Sequence, residues 1–107
     1  MLDLIKTRRS IRKFENREVE KDKLEAILKG ALTAPSSRGK RSWNLVVVTE
    51  KEKLNQLSKC REMGSGFLAN VPVGLVVVGD PTLCDVWVED GSISATLLLL
   101  EVHGQGL

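Results

Sequence analysis

The sequence has little that would mark a metal site, a secreted protein or a membrane protein. Its two cysteines, Cys60 and Cys84, form no CxxC pair, and the single histidine offers them no metal-ligand cluster. Free thiols in a reducing compartment are the plain reading. The start, Met1-Leu2-Asp3-Leu4-Ile5-Lys6, lacks the long apolar run and small-residue cleavage site of a secretory signal. The longest apolar stretch, Ala95 to Leu100 with one threonine, is far too short to span a bilayer. These absences predict a cytoplasmic protein with no membrane partner. A net charge of only +2, and a basic start with no aromatic residue near it beyond Phe14, argue against nucleic acid.

What is present is a chain of 107 residues with 42% hydrophobic content, enough for one globular domain over 1–107. Surface-to-volume scaling lets such a chain bury roughly 65% of its unfolded surface. The basic residues are uneven. Lys6, Arg8, Arg9, Arg12 and Lys13 cluster near the start, and Arg38, Lys40 and Arg41 form a second group. Local basic patches on a near-neutral chain suit a small anionic ligand better than a polyanion.

The first patch carries a specific arrangement. If Arg8-Arg9-Ser10-Ile11-Arg12-Lys13-Phe14 is extended, alternate side chains share a face, and Arg8, Ser10 and Arg12 point the same way. Two guanidinium forks bracketing a hydroxyl form a good phosphate receptor, whereas a basic run can also be simple solvated surface. The second patch lies in Ala34-Pro35-Ser36-Ser37-Arg38-Gly39-Lys40-Arg41-Ser42-Trp43, a polar loop between a predicted helix and a predicted strand. There the Ser36-Ser37 pair has two readings, a ligand contact or a turn that redirects the chain after Pro35.

Periodicity supplies the elements. Leu2 to about Thr7 reads as a short helix. From Glu20, residues Leu24, Ile27, Leu28, Ala31 and Leu32 follow helical spacing until Pro35 stops it. Trp43–Thr49 and Val73–Gly79 are apolar, β-branched runs that read as strands buried on both faces. Glu50–Ser58 is a charged helix with Leu54 and Leu57 inside. About Asp85 to His103 is a long helix, some 28 Å at the usual rise, with Asp85 as its predicted N-cap. It is apolar nearly all round, so it needs cover on several sides. Two strands do not make a normal sheet, which predicts an incomplete domain. Trp43 and Trp87 read as packing residues, and Glu89 and Asp90, adjacent on a helix, do not form a carboxylate dyad.

The two motifs, with their order and spacing, resemble the FMN-dependent nitroreductase family. Arg8, Arg9, Ser10, Arg12 and Phe14 match its Arg-Arg-Ser-x-Arg-x-Phe. Ala34, Pro35, Ser36, Ser37 and Trp43 match its Ala-Pro-Ser-Ser-x-Asn-x-Gln-Pro-Trp, and His103 to Leu107 match its His-Gly-x-Gly-Leu. The resemblance implies an α+β, nitroreductase-like fold: a central sheet flanked by helices, with a long buried central helix and the C-terminal portion absent. It implies a homodimer with FMN at the subunit interface. Arg8, Arg9, Ser10 and Arg12 would hold the phosphate and ribityl end, and Pro35, Ser36, Ser37 and Gly39 would reach the ring from the partner subunit. The implied activity passes hydride or electrons from NAD(P)H through the flavin to a nitroaromatic, quinone or similar acceptor. The flavin carries the chemistry, so no catalytic acid or nucleophile is required. Gly39 stands where the family has Asn, and Arg41-Ser42 where it has Gln-Pro. The alternative is a truncated member that binds flavin or another phosphate ligand, or dimerises, without catalysis.

Overall fold

The computed structural model describes all 107 residues as four helices and two strands. In order these are α1 (Leu2–Thr7), α2 (Lys21–Leu32), β1 (Trp43–Val48), α3 (Lys51–Leu57), β2 (Gly74–Gly79) and α4 (Trp87–Gly104). Short 3₁₀ turns lie at Ser37–Gly39 and Gly66–Asn70. The two strands pair as one sheet. Their register is antiparallel: the Asp80 N–H donates to the Ser42 carbonyl at 2.6 Å, and Gly74 at the other end faces Val48. The chain divides into two compact units.

The first unit comprises Met1–Arg8, Glu20–Leu45 and Val77–Leu107. Its core is the packing of α2 on α4. Helix α2 begins one residue after the predicted start, with Glu20 at its N-cap and Asp22 in the first turn, where a negative charge suits the helix dipole. Of its predicted apolar face, Ile27 and Ala31 are buried, Leu24 and Leu28 are half-buried, and Leu32 is exposed. Helix α4 starts at Trp87 with Val86 at the N-cap, so Asp85 does not cap it. Of its large apolar residues only Leu98 is fully buried. Asp90, Ser94 and Leu98, spaced four apart, are buried, while Val88, Ile93 and Leu99 are exposed. Small residues let the two helices approach closely at two points. The Ser94 hydroxyl donates to the Ala31 carbonyl at 3.0 Å, and the space a Cβ on Gly30 would occupy is filled by Glu101. Helix α1 docks on the far end of α4, where Thr7 Oγ1 lies 2.7 Å from His103 Nε2 and Leu4 packs by Gly104. Trp87 packs over Gly79, where no side chain would fit.

The second unit comprises Arg9–Val19 and Val46–Val76. Leu54 is buried, Leu57 half-buried, and both lie over Gly74. The buried Ser65 hydroxyl donates to the Ser58 carbonyl at 2.8 Å, tying the end of α3 to the loop that follows. The strands are less covered than a doubly buried reading requires: Val46, Val47 and Val78 are 44%, 39% and 40% exposed. No helix of the chain is long and apolar enough to cross a membrane.

Candidate functional site

The basic segment begins where α1 ends. Arg8 is its C-cap: its N–H donates to the Leu4 carbonyl at 3.0 Å, and its backbone turns extended at φ −58°, ψ 138°. From there to Glu20 the chain is neither helix nor strand. Arg8 is half-buried in the first unit, and Arg9, Ser10 and Arg12 are exposed in the second. The structure brings Arg12 to Ser10, with Arg12 Nη1 donating to the Ser10 carbonyl at 3.3 Å. Phe14 fixes the end of the segment by its tilted ring contact with Phe67, centroids 6.3 Å apart. Guanidinium groups and a hydroxyl on an exposed stretch suit the dianionic end of FMN.

The second motif forms a tight turn inside the first unit. Ala34 is buried beneath it and Pro35 is exposed. The Ser36 carbonyl accepts from the Gly39 N–H and the Ser37 carbonyl from the Lys40 N–H, both at 3.1 Å. The Ser36 hydroxyl accepts from the Arg41 N–H at 3.1 Å and so closes the turn. Ser36 therefore serves the turn, whereas the Ser37 hydroxyl makes no hydrogen bond within the chain. The turn is held at its base by a residue that sequence reasoning set aside. Asp90, only 4% exposed on α4, accepts from the Ser37 N–H at 3.0 Å. The buried Cys84 thiol lies 3.9 Å from the same carboxylate oxygen. No local pattern pairs Asp90 with Ser37, 53 residues apart in sequence; its position on the innermost line of α4 does.

The backbone of this turn is unusual. Arg38, Gly39 and Arg41 all have left-handed dihedrals, with φ of 55°, 65° and 47°. Gly39 takes this freely, and asparagine is the side-chain-bearing residue best suited to it, in keeping with Asn at that place in the family motif. At each arginine the left-handed conformation costs about 1–2 kcal/mol. A Cβ on Gly39 would meet nothing within 4 Å, so the turn is open on that side. The donor groups fit FMN: cationic forks for its phosphate on one segment, an unoccupied hydroxyl and an open backbone on the other.

An α+β chain with these two motifs defines a class, and comparison with known proteins names it. Residues 5–74 match the model of the nitroreductase family, and the chain belongs to that family. It is similar to an FMN-dependent nitroreductase from Clostridium difficile R20291, with 50% identity and a TM-score of 0.96, covering 99% of this chain and 62% of that one. It is also 36% identical to a protein of Methanothermobacter thermautotrophicus provisionally named as an NADH dehydrogenase/NAD(P)H nitroreductase, over 100% of this chain and 57% of the relative. A protein of the same provisional name from Archaeoglobus fulgidus shares 36% identity, over 99% of this chain and 63% of its own length. The chain thus spans roughly three-fifths of the length of these proteins.

Proposed function

We propose that this chain is a single nitroreductase-like domain, 1–107, that contributes to an FMN-dependent oxidoreductase taking electrons from NAD(P)H. The observation that carries the reading is the pair of motifs in a fold half identical in sequence to an FMN-dependent nitroreductase. Arg8, Arg9, Ser10 and Arg12 hold the phosphate and ribityl end. Pro35, Ser36, Ser37 and Gly39 serve the ring, with Ser37 Oγ and the open face of Gly39 as the contact groups and Ser36 as the closure of the turn. FMN, when bound, would supply the redox chemistry between reduced nicotinamide and a nitroaromatic, quinone or similar acceptor. The chain's own residues bind and orient the cofactor. A homodimer with FMN at the subunit interface brings the two motifs to one flavin from different copies.

The test is a visible spectrum after incubation with FMN and removal of free flavin, followed by NADH oxidation with a quinone acceptor. A retained flavin band near one per chain, with turnover, is expected. A colourless protein at saturating FMN sinks the reading.

One observation favours a second reading, a binding or dimerisation module without catalysis. Helix α4 exposes Val88, Ile93 and Leu99 at 53%, 42% and 50%. Apolar side chains so displayed on one helix suit pairing with another surface. A stoichiometric dimer without turnover at saturating FMN is the outcome that selects it.

A further inference from the structure

In the turn at residues 36–41 the two variable positions of the family motif are cationic, Arg38 and Lys40, and so is Arg41, where the motif has Gln; the construction of the turn bears on the second substrate. Arg38, Lys40 and Arg41 are all exposed, and none takes part in an ion pair. The acidic group closest in the bonding pattern, Asp90, is turned inward and engaged by the Ser37 N–H. Two arginines are held left-handed by bonds that leave little freedom: Asp90 to Ser37, Ser36 Oγ to the Arg41 N–H, and the 36–39 and 37–40 backbone pairs. Strain at non-glycine residues persists where the surrounding structure over-determines it, and it collects at ligand clamps. A solvated face has no need of such a backbone. Three unpaired cations on a turn whose backbone is already ordered meet an anion without the cost of ordering the loop, which favours binding.

From this we infer that the 38–41 turn selects small molecules bearing an anionic group, phosphate or carboxylate, at the face where reductant and acceptor meet the flavin, with Asp90 as the positioning residue. The inference rests on the proposed flavin site for its place in the reaction, but not for the binding itself. Two sources could carry the anion: the 2′-phosphate that distinguishes NADPH from NADH, and a carboxylate on the acceptor.

The binding test needs no flavin. Adenosine 2′,5′-bisphosphate and 5′-AMP are titrated separately into the ¹⁵N-labelled chain while the amides of residues 37–41 are followed. The bisphosphate is expected to shift these amides and to bind about tenfold more tightly than AMP, the scale of one charge-assisted contact. Arg38→Glu with Arg41→Glu is expected to abolish that preference. Lys29→Glu, the same kind of charge reversal on α2, is expected to leave it intact. Asp90→Ala is expected to speed exchange of the Ser37 amide and reduce the preference, and Asp90→Asn, which still offers an oxygen acceptor, to restore both. With FMN present, the sources separate by KM ratios: NADPH against NADH, and 4-nitrobenzoate against 4-nitrobenzamide. A ratio changed several-fold by the double reversal, with kcat held, identifies the source. Equal affinity for the two nucleotides, or unchanged KM ratios for both pairs, overturns the inference even if turnover is normal. Bisphosphate binding at the turn in a chain that keeps no FMN overturns the flavin reading and leaves the anion site standing.

Discussion

Ser36 and Ser37 stand side by side in sequence and do different work. Ser36 Oγ closes the turn by accepting from the Arg41 N–H, whereas the Ser37 hydroxyl is unoccupied and its N–H is anchored on Asp90. Removing the first hydroxyl costs a structural hydrogen bond worth about 1 kcal/mol. Ser36→Ala is therefore expected to lower stability by about that much in urea unfolding. Ser37→Ala is expected to leave stability within about 0.5 kcal/mol, as surface substitutions do, and to weaken FMN retention several-fold. An equal loss of stability in both variants would contradict the division. At the far end of β2, Asp80 Oδ1 accepts from the Thr82 hydroxyl at 2.5 Å and the Thr82 N–H at 2.9 Å. These bonds, the hydroxyl's first, hold its carboxyl below the usual carboxylate value. Its contribution to the turn is thus present above the ordinary carboxylate range and lost as pH falls through the lowered value. Acid titration of the Thr82 amide signal is expected to show loosening only below that range, and Asp80→Asn to remove the pH dependence.

Among the elements, the helices and strands were legible because their patterns are local. The 3.6-residue spacing of α2, the stop at Pro35 and the β-branched runs each predict an element within a residue or two of where it lies. Helix α4 was legible as a helix, but its inward face was not. A helix apolar nearly all round offers no preferred side by periodicity, and the side that meets α2 is the one on which Ser94 lies. For the same reason Asp90 went unread: its partner is set by packing, not by spacing. The basic segment was legible in composition, while the contact of Arg12 with the Ser10 carbonyl depends on backbone that no pattern specifies. The glycines of β2 lend themselves to a test at this scale. A Cβ on Gly79 would lie 2.4 Å from the Trp87 ring, and one on Gly74 would lie 2.9 Å from Leu54. Overpacking of this kind costs about 1–3 kcal/mol. Gly79→Ala is expected to destabilise by at least that amount, since a rigid indole must move, and Gly74→Ala by less, since one Leu54 methyl can turn aside. Chemical denaturation of the two variants ranks them.

For the whole molecule, the apolar surface left open is the dominant fact. Val46, Val47 and Val78 of the strands and Val88, Ile93 and Leu99 of α4 are all exposed, in a chain that spans about three-fifths of its relatives' length. The reading of the strands as doubly buried fits a longer fold better than this one, since only further structure would cover both faces. Ile93→Lys with Leu99→Lys is expected to shift sedimentation toward the monomer if α4 is the pairing surface, with little change in the monomer's circular dichroism. Unchanged association in that variant would move the interface elsewhere.

The packing of the two tryptophans also makes the molecule its own optical probe. The sequence contains no tyrosine, so near-ultraviolet emission comes from Trp43, 3% exposed at the foot of the 36–41 turn, and the half-buried Trp87. The Trp43 indole N–H is buried without a hydrogen-bond partner, so its emission reddens when water reaches it. Opening of the turn is thereby readable as colour, and an absorber of longer wavelength docking beside it is readable as quenching, without a label and in the unmodified chain.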